Sequence, residues 1–481
     1  MFMMKYKSII IATISSLAML SACSDDDSFS TSSSKILTFS ADTISIDTVF
    51  SNVPSSTKSF WVYNKSGDGL KCTNIRLERG NQTGFRVNVD GTYLGQTSGY
   101  QTNNVEIRNK DSIRVFVEVT TGYTYQDAPK KIADNLIFTL ESGTQQKVNL
   151  NAWSWDATML RNVKISKDST ISGSKPIVIY GGLKVDSAAT LTLAAGTTIY
   201  FHADAAINVY GKLLSQGTAL QNVVLRGDRL DNMFDYLPYD FVSGQWKGIH
   251  LYSSSYDNEI TYTDIHSTEN GVVADSSDLK KTKLKLESST IHNCKGYGLQ
   301  AINSNVILRN CQITNTLNDC VDIDGGKAEI NGCTLAQFYP FDAKRGAALR
   351  FSCIKTPLMS MNCINTLVTG YADDVMTGEQ KDTTVTFAYA FDHCIIRTPK
   401  ITTADSLHFT NVIYEDIKDT TSTGIKHFVK IDTDNLRYDF NLKSTSSAIG
   451  KANPTTAMPL DRNGQKRDDL PDVGAYEYIK Q

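Results

Sequence analysis

Residues 308–313 (LRNCQI) decide the fold, because a similar stretch follows 22 residues later as residues 330–335 (INGCTL). Two earlier copies extend the pattern into a column of Ile265, Ile291, Ile313 and Leu335, spaced by 26, 22 and 22 residues. Two positions before each member lies a small residue: Thr263, Ser289, Cys311 and Cys333. Five positions before lies a further apolar residue: Ile260, Leu286, Leu308 and Ile330. Three matching columns predict short parallel strands that stack on their counterparts one coil away, about 4.8 Å along the axis.

The same rhythm begins earlier in the chain. Five short strand-like pieces follow each other after Asp156: residues 183–185, 191–193, 199–201, 207–209 and 223–225. The step from Val185 to Val209 is 24 residues, which is one coil of a right-handed parallel β-helix. Ser288, Asn310 and Gly332 occupy the predicted bend between strands. The pattern therefore predicts a β-helix over residues 158–481.

Several motifs resemble bacterial right-handed β-helix surface proteins. Residues 245–249 (QWKGI) resemble their Trp-x-Gly-Ile element, and residues 447–450 (SAIG), 461–464 (DRNG) and 472–477 (DVGAYE) resemble their C-terminal segment. The resemblance implies the fold and a surface location, but no single activity, because β-helices support many functions. Physically, the C-terminal segment is expected to be a cap over the last coil of the solenoid.

The preceding segment, residues 36–157, has a different rhythm. Its apolar residues alternate with period two in short runs, which predicts a β-sandwich. The clearest runs are residues 44–46, 60–63, 75–77, 85–89, 113–117 and 136–138. Residues 60–64 together with 110–113 resemble Ig-like domains of cilium-associated and bacterial surface proteins, which implies a spacer or binding module. The predicted fold class is thus all-β, an Ig-like β-sandwich followed by a right-handed parallel β-helix.

The N-terminus predicts export and lipid anchoring. Residues 1–22 have a positive start and an apolar stretch, as in a secretory signal peptide. Residues 20–23 (LSAC) match the lipobox of bacterial lipoproteins, so Cys23 is the predicted lipidation site and the outer membrane a predicted partner. Residues 23–35 are rich in Ser, Thr and Asp and predict a flexible tether. Acidic residues directly after Cys23 resemble a surface-export signal and favour display at the cell surface; a solvated periplasmic tether is the alternative.

Composition limits the function classes. The 481 residues carry a net charge of -3 and are 41% hydrophobic, which excludes global disorder and gives nucleic acid no electrostatic footprint. The eight cysteines besides Cys23 are expected to be reduced core residues, because a solenoid core needs no disulfide and free Cys packs as a small hydrophobe. Disulfide pairing, which an even number of cysteines in a secreted protein suggests, is the alternative.

One outward-facing row of the predicted solenoid mixes functional side chains: His250, Val273, Gln300, Asp322 and Arg350. His250, Asp322 and Arg350 are candidate catalytic residues, and Gln300 is a candidate glycan-binding residue. Asp319, Asp322 and Asp324 form a candidate Ca²⁺ site. The alternative is a cross-coil ion pair between Asp322 and Arg350 on a solvated face. His266 and His292 are also outward neighbours, but with no third ligand in sight they are interpreted as a surface stack.

An insertion over residues 228–244 is the second candidate site. It places aromatic rings among carboxylates, an arrangement that commonly binds sugars, and the candidate glycan-binding residues are Phe234, Tyr236, Tyr239 and the following Trp246. The alternative is a long loop fixed by its own aromatic side chains. Two further expansions, residues 337–359 and 367–392, would form the wall of a groove if they lie on the same side.

These features predict a lipid-anchored envelope protein that binds complex carbohydrate or another surface partner. Two alternatives remain open: a polysaccharide lyase or glycosidase that acts on acidic glycans through the His250–Arg350 row, and a structural adhesin or stalk. Ca²⁺ is the only cofactor that the residues suggest.

Overall fold

The computed structural model describes residues 28–173, 175–234, 236–354, 356–418 and 424–480. The chain divides into two compact units between Trp155 and Asp156. The predicted signal peptide, Cys23 and the first residues of the predicted tether lie outside the described residues. Within the described ranges, no helix is long and apolar enough to cross a membrane.

The first unit contains ten strands in two five-stranded sheets. Their orders are β1-β3-β8-β5-β6 and β2-β10-β9-β4-β7. Neighbouring strands are antiparallel, except that β2 and β10 are parallel. The strands are β1 (Thr38–Phe39), β2 (Thr43–Phe50), β3 (Lys58–Tyr63), β4 (Leu70–Leu77), β5 (Phe85–Val89), β6 (Thr92–Tyr93), β7 (Gln101–Ile107), β8 (Ser112–Val119), β9 (Lys130–Leu140) and β10 (Gln145–Trp155).

Alternation explains why these strands form a sandwich. Along β8, Ile113, Val115, Val117 and Val119 are buried, while the residues between them face outward. Both sheets contribute inward residues to one continuous core, as expected when each strand has one apolar face. The six predicted runs lie within β2, β3, β4, β5, β8 and β9.

The described part of the predicted tether begins against this sandwich. The backbone of Ser28–Ser30 pairs with Gly69, and the Phe29 ring lies so close to Gly69 that a Cβ there would meet it at 3.0 Å. Lys35 forms an ion pair with Asp68. Residues 31–34 between these contacts are exposed.

The second unit is a right-handed parallel β-helix, in which almost every strand pairs in parallel with its counterpart one coil later. Its strands are β11 (Thr158–Ile165), β12 (Ser169–Ile171), β13 (Ile177–Val185), β14 (Thr190–Ala194), β15 (Thr198–Phe201), β16 (Ile207–Val209), β17 (Lys212–Gln216), β18 (Val223–Gly227), β19 (Asn232–Phe234), β20 (Leu237–Pro238), β21 (Ile249–Leu251), β22 (Asn258–Thr261), β23 (Thr263–His266), β24 (Val272–Ala274), β25 (Leu284–Glu287), β26 (Thr290–Cys294), β27 (Leu299–Arg309), β28 (Gln312–Thr316), β29 (Val321–Asn331), β30 (Thr334–Gln337), β31 (Leu349–Cys353), β32 (Leu358–Ile364), β33 (Leu367–Gly370), β34 (Met376–Gln380), β35 (Phe387–Asp392), β36 (Ile395–Ile396), β37 (Phe409–Thr410), β38 (Ile413–Tyr414), β39 (Phe428–Asp432) and β40 (Arg437–Leu442).

Two antiparallel hairpins stand apart from the coils: β19–β20 in the 228–244 insertion and β39–β40 near the C-terminus. Four short 3₁₀ helices, one of them in the sandwich, complete the secondary structure of the described residues: Gln96–Ser98, Tyr239–Phe241, Ala404–His408 and Ile425–His427.

The coils build three faces. Face A contains β16, β21, β24, the first halves of β27 and β29, β31 and β34. Face B contains β17, β22, β25, the second halves of β27 and β29, β32 and β35. Face C contains β18, β23, β26, β28, β30, β33 and β36. The register pairs Ile265, Ile291, Ile313 and Leu335 in one column, which confirms the alignment drawn from the sequence.

The bend between faces B and C repeats one local structure. Its first residue has a positive φ in six successive coils: Tyr262, Ser288, Asn310, Gly332, Asn365 and His393. The hydroxyl or thiol of the next residue donates a hydrogen bond of 2.8–3.5 Å to the carbonyl two residues earlier. These donors are Thr263, Ser289, Cys311, Cys333, Thr366 and Cys394. The predicted small column is therefore a ladder of turn-closing donors.

The cysteines of the described chain are buried and form no disulfide. Cys394 occupies the bend column, whereas Cys363 pairs in register with Ile330 in face B, and Thr366 takes the bend position of that coil. The Sγ atoms of Cys363 and Cys394 are 3.9 Å apart across the core. Burial raises the pKa of Cys294 and of Cys320 to about 12, so these thiols behave as apolar core groups.

The C-terminal segment, expected to cap the last coil, instead lies along the side of the solenoid. Arg462 Nε donates to Thr290 Oγ1 at 2.9 Å, Tyr476 Oη to Gln312 Oε1 at 2.5 Å, and the Ala475 amide to Thr334 Oγ1 at 2.9 Å. The three acceptors are adjacent members of one outward row on face C. The segment follows this row because the row presents polar groups that need partners once they are covered.

A buried ion pair fixes this strap, which we define as residues 446–478. Arg467 Nη1 lies 3.0 Å from Glu477 Oε2, and Arg467 also donates to the carbonyl of Gly474. Removing one partner of a buried pair leaves an uncompensated charge, which costs about 3–5 kcal/mol.

We predict that Arg467→Met lowers the thermal midpoint of the second unit by roughly 5 °C or more in differential scanning calorimetry. Lys466→Met is the matched control, because Lys466 is the exposed neighbour and its loss is expected to change little. Equal midpoints for the two variants would contradict the role given to the strap.

Candidate functional site

Face A presents the polar row that the sequence predicts. The register pairs His250 with Val273, Val273 with Gln300, Gln300 with Asp322, and Asp322 with Arg350. It extends the row to Lys184 and Asn208 before His250 and to Thr377 after Arg350. The row exists because the alternate residues Ile249, Val272, Leu299, Val321 and Leu349 are inward and buried.

Asp322 is the most perturbed acid of this row. Its side chain is nearly buried and accepts a hydrogen bond from Gln300 Nε2 at 3.0 Å. Burial, aided by the nearby carboxylates of Asp319 and Asp324, raises the pKa of Asp322 to about 6 against the opposing effects of Gln300 and Arg350. A carboxyl group with such a pKa exchanges a proton near neutral pH.

Arg350 pairs with a different carboxylate from the one that the sequence suggested. Its Nε donates to Asp319 Oδ2 at 2.8 Å, so the expected cross-coil pair with Asp322 is replaced by a pair with Asp319. Asp319 is nearly buried and also accepts the Ala347 amide at 2.6 Å. Asp319 lies in the bend just before β29, outside the row, and its carboxylate therefore reaches Arg350 from beside the row.

The three aspartates proposed as a Ca²⁺ site do not converge. Asp319 binds Arg350, Asp322 binds Gln300, and Asp324 accepts hydrogen bonds from the Ser352 hydroxyl and the Ile354 amide. Asp322 and Asp324 lie two residues apart on one strand, but Asp322 is bound by Gln300 on the preceding coil and Asp324 by Ser352 on the next coil. Among the described residues, the one cluster whose ligand atoms lie close enough for a metal ion is elsewhere, on face C.

The other end of the row is a stack of rings. The His250 and Tyr252 rings are 4.0 Å apart at 15°, and the Tyr252 and Tyr210 rings are 4.1 Å apart at 10°. His250 Nε2 lies 2.9 Å from Asp275 Oδ1, and the Tyr252 hydroxyl donates to Asn208 at 3.2 Å. The rings are half-buried, so this stack lies at the surface and not in the core, and its hydrogen bonds fix the positions of the rings.

His250 is thus separated from the Asp322 group by the Val273 coil. The structure brings together Gln300, Asp322, Asp319 and Arg350, but not the predicted trio of His250, Asp322 and Arg350. Tyr297 joins the first group, since burial and the charges of Asp322 and Asp319 raise the pKa of its hydroxyl. The alignment of successive coils within the sequence does not reveal Tyr297, because this residue lies in the bend before β27, outside the aligned strand positions.

The predicted sugar-binding rings of the 228–244 insertion differ in their exposure to solvent. Phe234 and Tyr236 are exposed, and their rings stack at 5.8 Å and 12°. Tyr239 is half-buried beneath the Arg229 guanidinium, 3.9 Å from the ring centroid.

Trp246 is not a surface residue, contrary to its assignment as a sugar-binding group. It is completely buried, stacks on Phe201 at 4.2 Å, and donates its indole N–H to the carbonyl of His266 at 2.9 Å. The Trp-x-Gly-Ile element is a core feature of the coil, because the indole fills the solenoid interior before β21.

Two insertions leave the solenoid at the same corner, between faces C and A. One contains residues 228–244 and the other residues 338–348, and they meet where the Ser243 and Tyr339 hydroxyls are 2.8 Å apart. The second insertion supplies the Ala347 amide to Asp319. Residues 338–348, which belong to the first predicted expansion, therefore lie beside the charged end of the face A row.

The chain matches a family model described as "Right handed beta helix region" over residues 148–335. Among curated proteins, none matches this chain.

Several solved structures are similar to parts of the chain. Pectate lyase Pel9A is 10% identical, with 67% of this chain and 88% of that chain covered and a TM-score of 0.31. The human ASH/PapD-like domain of CEP192 is 10% identical, with 25% and 85% covered and a TM-score of 0.17. The CooA pilin subunit from enterotoxigenic Escherichia coli is 10% identical, with 24% and 96% covered and a TM-score of 0.17.

The raised pKa of Asp322 predicts a pH-dependent stability. The unfolded carboxyl group ionises near 3.8 and the folded one near 6, so folding is disfavoured progressively from about pH 4 to pH 6 and by a constant amount above that. We predict that Asp322→Asn raises the free energy of unfolding at pH 7.5 by up to about 3 kcal/mol and changes it little at pH 3.5.

Chemical unfolding at the two pH values checks this prediction. Asp324→Asn is the matched control, because Asp324 lies on the same strand and has hydrogen-bond donors of its own. A stabilisation of Asp322→Asn that is equal at both pH values would contradict the ionisation argument.

Proposed function

We propose that this chain is a lipid-anchored cell-envelope protein that binds an extended polysaccharide along face A. The observation that carries the proposal is the register row that runs from His250 to a polar group around Asp322 and Arg350. His250 stacks on Tyr252, and Tyr252 on Tyr210, so a ring stack lies beside one end of this row.

The chemistry of the row suits a sugar polymer. Aromatic faces pack against the apolar faces of sugar rings, and amide, carboxylate and guanidinium groups bind hydroxyl or acidic substituents. The row repeats once per coil, at about 4.8 Å, so successive coils would meet successive parts of one extended chain. The insertions at the neighbouring corner would border this ligand beside Asp319 and Arg350.

The cell-envelope location is proposed from the sequence. The signal-like residues 1–22 and the lipobox that ends at Cys23 support lipid anchoring, and the acidic residues after Cys23 support display at the surface of the outer membrane. In this arrangement the Ig-like sandwich acts as a spacer between the membrane and the β-helix.

We predict that Tyr252→Ala weakens polysaccharide retention at least ten-fold, because it removes the central ring of the stack. The measurement is affinity electrophoresis of the chain from Ser24 onward against a panel of host and plant polysaccharides. Tyr256→Ala is the matched control, since Tyr256 is a half-buried tyrosine four residues after Tyr252 that packs with Lys281 and is not part of the ring stack. No retention by the unsubstituted protein, or equal losses in both variants, would contradict the proposal.

A polysaccharide lyase or glycosidase is the second candidate function, favoured by the near-neutral pKa of Asp322 beside Arg350. If the protein cleaves its ligand, Asp322→Asn is expected to abolish new unsaturated or reducing chain ends while retention persists. Retention without new ends in the unsubstituted protein would reject this candidate. Neither retention nor new ends in the unsubstituted protein would leave an adhesin or stalk.

A further inference from the structure

Face C brings two histidines and a carboxylate together. Asp264 and His266 are on β23, two residues apart and on the same side of the strand, and His292 is paired with His266 one coil later on β26. Asp264 Oδ1 lies 2.9 Å from His266 Nδ1 and 3.2 Å from His292 Nε2. The two imidazole rings stack at 4.7 Å and 19°. The third ligand that the sequence did not reveal is therefore Asp264, which strand alternation places beside His266.

The spacing of these atoms is compatible with a shared metal ion as well as with the ion pairs that they form. The three ligand atoms lie within 4.8 Å of one another. Zn²⁺ binds histidine nitrogen and carboxylate oxygen at about 2.0–2.2 Å, so ligand atoms around one tetrahedral ion are separated by roughly 3–3.5 Å. The two separations from Asp264 Oδ1 come close to that range without any change of fold.

A second carboxylate orients one of the rings. His266 Nε2, the nitrogen that faces away from Asp264, lies 2.8 Å from Asp240 Oδ1, and Arg226 Nη2 lies 2.8 Å from the same oxygen. A carboxylate that accepts the remaining ring N–H is the usual outer partner of a metal-binding histidine. Asp240 belongs to the 228–244 insertion, so this insertion is attached to the solenoid through the cluster.

The cluster opens into a cleft of about 410 Å³ between face C and the β39–β40 hairpin. His292 lines this cleft. Three buried polar atoms of its lining have no hydrogen-bond partner within the described part of the chain: Asn315 Oδ1, Arg437 Nη1 and Tyr438 Oη. Asn315 is only 2% exposed. Buried polar groups are almost always paired, so these three atoms offer partners to water or to a polar ligand in the cleft.

We propose that Asp264, His266 and His292 bind a divalent transition-metal ion of the Zn²⁺ type, with its open coordination position facing this cleft. Three protein ligands with an accessible fourth position are the arrangement of zinc sites that bind a further ligand. Lys430 and Arg437 also line the cleft and would favour an anionic oxygen on that ligand. The site lies on face C, and its test is independent of the polysaccharide row on face A.

Isothermal titration of the chelator-treated chain from Ser24 onward with ZnCl₂ tests the site. The expected result is one Zn²⁺ per chain, with at least ten-fold weaker binding in His292→Asn. The matched control is His202→Asn, since His202 also pairs with one carboxylate, Asp228 at 2.8 Å, but belongs to no three-ligand group in the described residues. No binding by the unsubstituted protein, or equal binding by the His292 variant, would overturn the proposal.

Two further readouts separate ligand loss from misfolding. Without metal, the thermal midpoint of His292→Asn should match that of the unsubstituted protein within a few degrees. Zn²⁺ should raise the midpoint of the unsubstituted protein but not that of His292→Asn, because a ligand that binds the folded state stabilises it. Co²⁺ in place of Zn²⁺ should give the visible absorption of a tetrahedral nitrogen and oxygen site. Absorption typical of six-coordinate aqueous Co²⁺ would contradict the assignment even if some binding heat were seen.

Discussion

One hydrogen bond, repeated from coil to coil, sets the register on which the rest of the β-helix depends. At the bend between faces B and C, a residue with positive φ turns the chain from one face to the next, and the hydroxyl or thiol that follows donates to the carbonyl two residues earlier. Gly, Asn and His occur more often than other residues in this conformation, whereas Tyr262 adopts it at an expected steric cost. The apolar residue two positions later is thereby fixed inward, and each coil stacks in step with the last.

This register also determines where chemistry is available. Outward residues that alternate with the core form straight rows, and the three faces use these rows differently. On face C the strap covers the row of Thr290, Gln312 and Thr334, so this row binds the strap and is not available to a ligand. On face A the row from His250 to Arg350 retains partly exposed polar groups. A site built from one residue per coil suits a ligand that is itself a repeating chain.

The sequence predicted the periodic part of this structure well and the irregular part poorly. The columns of Ile291 and Leu308 and the row from Gln300 to Arg350 follow from alternation, which the sequence displays directly. Corners, insertions and the strap have no period, so their contacts could not be aligned. For that reason the sequence pattern does not reveal that Asp319 binds Arg350, that Trp246 lies in the core, or that Asp264 contacts His266.

Hydroxyl-radical footprinting with mass spectrometry measures most directly whether face A holds the ligand, because it reports the solvent exposure of individual side chains. With a retained polysaccharide present, the proposal predicts that oxidation of Tyr210, Tyr252 and Tyr297 falls while that of Tyr256 and the sandwich residue Trp61 is unchanged. Protection confined to Phe234 and Tyr236, or to the cleft residue Tyr438, would contradict the assignment of the binding face.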